Sequence, residues 1–79
     1  MEIKIFGPGC ARCHELEKRV RHAVDELGVA AEIEKISDLK DMAASGIMNT
    51  PGLAIDGRVK SSGRIPSLDE IKKWIRGET

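Results

Sequence analysis

The chain has 79 residues, 41% of them hydrophobic and 33% charged, with thirteen Lys and Arg against thirteen Asp and Glu. A typical domain runs to roughly 150 residues, so a single domain over 1–79 is expected, with a thin core that buries only about 60% of the unfolded surface. Zero net charge excludes the general attraction of a basic chain for nucleic acid or anionic membrane, and two cysteines are too few for a multi-disulfide scaffold or a four-cysteine zinc site.

In chain order, Ile3, Ile5 and Phe6 alternate with Glu2 and Lys4 and predict a short strand that Gly7-Pro8-Gly9 breaks. Ala11 to Leu27 reads as a helix. Its residues Leu16, Val20, Ala23, Val24 and Leu27 form one apolar stripe, and Glu15 with Arg19 and Glu17 with Arg21 are acid-before-base pairs four apart. Gly28 stops it. Val29 to Ile36 predicts a second strand. Ser37 or Asp38 caps a short helix through Ala44, which Gly46 ends. After Thr50-Pro51, Leu53 to Ile55 and Arg58 to Ser61 flank Asp56-Gly57, a strong signal for a tight hairpin. Ser67-Leu68-Asp69-Glu70 is a capping box opening a last helix, with Leu68, Ile71, Trp74 and Ile75 on one face and Gly77 at its end.

The order β-α-β-α-β-β-α implies an α/β fold. The first strand-helix-strand unit gives two parallel strands and the hairpin adds an antiparallel pair, so a small mixed sheet covered by helices is expected. No apolar run reaches the roughly 18 residues of a membrane span, and none has signal-peptide length. A cytoplasmic protein is expected, in which a close cysteine pair is catalytic or metal-binding more often than a structural bridge.

Cys10-Ala11-Arg12-Cys13 falls where the first strand gives way to the first helix. The free N–H groups and partial positive charge of a helix start stabilise a thiolate. Cys10 stands at the open end. Cys13 precedes Leu16 by three and Val20 by seven, on the apolar stripe, and is expected to be shielded. An exposed thiol that attacks and a sheltered one that resolves is the division of labour that disulfide exchange requires. Arg12 puts a permanent positive charge between them and is expected to lower the Cys10 thiol pKa modestly.

Other readings of the pair stay open. Cys10 to His14 spells C-x-x-C-H, the haem-attachment pattern, but no signal segment or aromatic pocket accompanies it and His14 falls on the polar side of the helix. Two thiolates can also carry a soft ion such as copper(I) or zinc, with His14 as a third ligand, although the small copper-carrier fold has a different element order. Both cysteines could be inert core residues, against which the Gly7-Pro8-Gly9 turn argues. Met48, two residues before Thr50, reads as a gap-filling core methionine, with a place lining the groove beside the cysteines as the alternative.

From Ile3 to Ile75 the sequence resembles the thioredoxin superfamily, most closely the small thioredoxin-like proteins called redox-active disulfide protein 2. Three features carry the resemblance in the same order: Gly7-Pro8-Gly9-Cys10-Ala11-Arg12-Cys13 after the first strand, Thr50-Pro51 before the third, and Gly63 before the last helix. It implies a thioredoxin-like fold with a four-stranded mixed sheet flanked by three helices. It implies a thiol–disulfide oxidoreductase with Cys10 as nucleophile and Cys13 as resolving cysteine. It also implies a cis peptide before Pro51 lying against the cysteines, leaving the Thr50 backbone to pair with an extended substrate segment, with Gly63 beside it. No cofactor or metal is expected beyond the redox-active disulfide. Partners would be protein disulfides and a disulfide reductase or other dithiol donor, with no nucleic acid or membrane, and a monomer is expected. The tryptophan that precedes the cysteines in typical thioredoxins is absent, Trp74 reads as core packing, and no buried proton-shuttling acid is evident, Glu2 and Lys4 being the only charged residues of the matching strand. Gly63-Arg64-Ile65-Pro66 lacks the glutathione-gripping Gly-Gly and acidic pair of glutaredoxins.

Overall fold

The computed structural model describes residues 1–9 and 11–77. Its elements are β1 (Glu2–Phe6), α1 (Ala11–Leu27), β2 (Glu32–Ile36), α2 (Leu39–Ala44), β3 (Gly52–Ile55), β4 (Arg58–Ser62) and α3 (Leu68–Ile75). The strands form one mixed sheet in the order β2-β1-β3-β4, with β1 parallel to β2 and antiparallel to β3, and β3 antiparallel to β4. This is the α/β architecture that the element order implied.

The strand period divides the core in two. Ile3 and Ile5 of β1 and Leu53 and Ile55 of β3 point to one face, where Leu16, Val20 and Ala23 of α1 and Ile71 and Ile75 of α3 cover them. Phe6 and Ala54 point to the other, against Met42 of α2 and Ile47. Because β1 and β3 are central and covered on both sides, they carry the fully buried strand residues Ile3, Phe6 and Leu53. Each large side chain so buried contributes about 1.5–3 kcal/mol of transfer free energy.

The hairpin turn has positive φ at both central residues, Asp56 (49°) and Gly57 (82°), the geometry whose twist matches the flanking strands. Asp38 caps α2, its Oδ1 accepting from the Lys40 N–H at 2.8 Å. At α3 the capping box is complete: the Ser67 side chain accepts from the Glu70 N–H, and the Glu70 carboxylate accepts from the Ser67 N–H. Arg64 adds two hydrogen bonds to the same carboxylate, at 2.9 and 3.2 Å, and its guanidinium lies 6.0 Å from the centre of the Trp74 ring. Trp74 itself packs, partly buried, against the main core.

Two expectations are corrected. The second strand begins at Glu32, not Val29, because its partner β1 begins at Glu2 and pairs Glu2 with Glu32. Residues 29–31 have no strand to join, and Val29 and Ala31 instead pack against the end of the core. Met48 is not a core residue: it is 87% exposed. Ile47 takes the buried place, its side chain filling the space over Gly52 that a Cβ would occupy. Among the described residues, no helix is long and apolar enough to cross a membrane.

Candidate active site

The parallel pair β1 and β2 ends at Phe6 and Ile36, and the chain leaves β1 through Gly7-Pro8-Gly9 to enter α1. The Gly7 N–H donates to the Ile36 carbonyl at 2.9 Å, which fixes the turn to the sheet. Cys10, the expected nucleophile, lies outside the described residues. Cys13 lies in the first turn of α1 and is 6% exposed. Its sulfur takes the place of a side chain at Gly7: a Cβ built on Gly7 would stand 2.2 Å from Cys13 Sγ. The same point is 3.9 Å from Thr50 Cβ. Gly7, Cys13 and Thr50 thus converge from three separate parts of the chain.

The Thr50–Pro51 peptide is cis. Pro51 is fully buried and Thr50 half-buried. The segment is tied to the end of β4 and the loop beyond. Ser62 Oγ donates to the Asn49 carbonyl at 3.1 Å, and the Gly63 N–H donates to the Pro51 carbonyl at 2.9 Å. Gly63 has φ +80°, and a Cβ there would lie 2.9 Å from Asn49 Cβ, so this position excludes a side chain on both counts. Arg12 reaches the same loop: its Nη2 donates to the Gly63 carbonyl at 3.0 Å.

On the opposite side of Cys13, towards β2, a cleft of about 340 Å³ opens over Ile5 and is lined by Cys13, His14, Glu17, Lys35 and Ser37. Glu17 pairs with Arg21 at 2.9 Å and with Lys35 at 3.5 Å. The hydrogen bond from Arg21 holds the Glu17 carboxyl below its ordinary range, with desolvation opposing and the Lys35 charge adding to the effect. In β1, by contrast, Glu2 is exposed and Lys4 half-buried, 3.8 Å apart, so that strand holds no buried acid.

The structure therefore brings Arg12, Cys13, Thr50, Pro51 and Gly63 to one end of the sheet. Sequence reasoning missed Gly7 as a site residue. Gly7-Pro8-Gly9 was legible as a strand break, but the need at Gly7 is for volume, which only the packed Cys13 sulfur reveals. It also missed Lys35, whose link to Glu17 joins β2 to α1 and leaves no local pattern. Among the described residues, no three His, Cys, Asp or Glu side chains are grouped so as to hold a metal ion.

A buried cysteine in the first turn of the helix after β1, a cis-proline segment beside it, and a four-stranded mixed sheet with α1 and α3 on one face and α2 on the other define the thioredoxin-like class of folds. The sequence matches the Thioredoxin domain family over residues 1–76. It is 51% identical over 75 residues to a thioredoxin of Methanothermobacter thermautotrophicus, spanning 95% of this chain and 97% of that protein. It is 42% identical over 74 residues to a thioredoxin of Methanocaldococcus jannaschii, spanning 94% of this chain and 85% of that one. The chain belongs to the thioredoxin family and is a thiol–disulfide oxidoreductase. Nothing in these relationships favours the metal-carrier reading.

Proposed function

We propose that the chain exchanges two electrons with protein disulfides through Cys10 and Cys13. The Cys10 thiolate attacks one sulfur of the target disulfide; a mixed disulfide forms and one target thiolate leaves. Cys13 gives up its proton to water and attacks the Cys10 sulfur, and the two departing target thiolates take up protons from water. The mixed disulfide breaks, the second target thiolate leaves, and the Cys10–Cys13 disulfide remains. The target has gained two electrons and the protein has lost them. A disulfide reductase or another dithiol returns them, so no cofactor beyond the cysteine pair is needed, and the cycle suits a cytoplasmic compartment that keeps thiols reduced.

The observation that carries this reading is the burial of Cys13 against Gly7. A sulfur that fills the place of a missing side chain is closed to a folded protein target, so the first attack falls to Cys10. Cys13 then reacts only with a sulfur already delivered to its neighbour. The Thr50–Pro51 segment beside Cys13 supports the same reading, because the Thr50 backbone at the site edge suits pairing with an extended target strand.

Reduction of insulin by dithiothreitol, followed as turbidity, tests the proposal. The wild-type chain accelerates precipitation, and Cys10→Ser abolishes the acceleration. Acceleration by Cys10→Ser equal to wild type would contradict it.

A further inference from the structure

Resting on that reading of the site, we propose that Arg12 is a positioning residue. Its guanidinium, bound to the Gly63 carbonyl, holds the loop that supports the substrate-receiving Thr50–Pro51 segment in register with the cysteine turn.

Between two cysteines at a helix start, a cation has an obvious electrostatic use, and the sequence alone suggests that one. The structure also gives the guanidinium a definite partner: Nη2 donates to the Gly63 carbonyl at 3.0 Å, across 51 residues of chain. Gly63 is a relay. On its other side its N–H donates to the Pro51 carbonyl at 2.9 Å. One residue earlier, Ser62 Oγ holds the Asn49 carbonyl at 3.1 Å. The path from the inter-cysteine residue to the cis-proline segment is therefore two hydrogen bonds through one peptide-bearing residue, which has no side chain and no room for one.

A second arginine shows that the contact belongs to a pattern. Arg19 lies seven residues further on, two turns along the same side of α1, and donates to the Pro66 carbonyl at 3.0 Å. The two arginines hold carbonyls near the two ends of the segment between β4 and α3, at Gly63 and at Pro66. Arg19 is far from the cysteine turn and serves the fold. Arg12 makes the equivalent bond from within the redox motif, so a shift of the first turn of α1 is felt at Gly63 and then at Pro51. A guanidinium suits this task because its planar fork keeps a fixed direction to a carbonyl, whereas an ammonium on a shorter stem does not.

The experiment compares wild type with Arg12→Met, Arg12→Lys and Arg19→Met. Amide hydrogen exchange is read at Gly63, and kcat and KM are read for insulin reduction. With Arg12→Met, Gly63 exchange rises and KM for the protein disulfide rises about three- to tenfold, the loss of one exposed hydrogen bond, while kcat changes less than about twofold. Arg12→Lys keeps the charge and does not restore either value. Arg19→Met lowers thermal stability and leaves KM unchanged. Unchanged Gly63 exchange in Arg12→Met overturns the proposal, and so does full restoration by Arg12→Lys, which would make the charge alone the active element. If wild type fails to reduce insulin, the proposed function falls, and Gly63 exchange still decides whether Arg12 holds the loop.

Discussion

Replacing Gly7 with alanine probes the packing on which the site rests. The new Cβ would meet Cys13 Sγ at 2.2 Å and Cys13 Cβ at 3.3 Å. A relaxed contact needs at least about 3.5 Å, so the sulfur must retreat by more than about an ångström. It cannot do so freely. Cys13 is 6% exposed, and its backbone is fixed in the first turn of α1. Either the side chain leaves its rotamer or the helix start lifts from β1, and overpacking of this kind costs about 1–3 kcal/mol. For a domain of this size each kcal/mol lowers the melting temperature by about 4–8 °C. Thermal unfolding of the reduced protein reads the loss. The double variant Gly7→Ala/Cys13→Ala reads its cause, because removing the sulfur makes room for the added methyl and recovers most of the stability lost through Gly7→Ala. Purely additive effects, or a Gly7→Ala variant as stable as wild type, would refute the claim that this sulfur and this glycine share one space.

Two further outcomes follow from the geometry. Arg64 first, and then the Ser67 N–H, hold the Glu70 carboxyl at a pKa of about 2. A depressed carboxyl contributes stability above its unfolded value of roughly 4.3 that is lost as pH falls through the folded value. The gap in melting temperature between wild type and Glu70→Gln should therefore be constant near neutrality, narrow below about pH 4 and close near pH 2; a gap independent of pH would contradict the assignment. Gly63→Ala combines a left-handed backbone with a clash at Asn49 and should cost about 1–3 kcal/mol in urea unfolding, while Gly57→Ala, which meets nothing within 4 Å, pays only the backbone part.

The elements were legible because local chemistry and tertiary need agree in them. The Leu16–Val20–Ala23 stripe, the Asp56-Gly57 turn and the Ser67–Glu70 box each carry their instruction within a few residues. The failures came where the determinant is remote. Whether Val29 pairs depends on where β1 starts, and whether Met48 is buried depends on Ile47 having taken the space over Gly52. The site divides in the same way. Cys13 was expected to be shielded from its place on the apolar stripe, and it is buried. Gly7, Lys35 and the bond from Arg12 to Gly63 were not legible, because each is defined by an atom that folding brings from another part of the chain.

The central claim is an order of attack, Cys10 first and Cys13 second. It is tested most directly by trapping the intermediate with a disulfide-bonded protein target and locating the adduct by mass spectrometry. Reduced Cys13→Ser should accumulate a mixed disulfide through Cys10, because nothing remains to resolve it. Cys10→Ser should form none at a comparable rate, its remaining thiol being buried behind Gly7. Equal trapping by Cys10→Ser, or an adduct on Cys13 in the wild-type chain, would contradict the account.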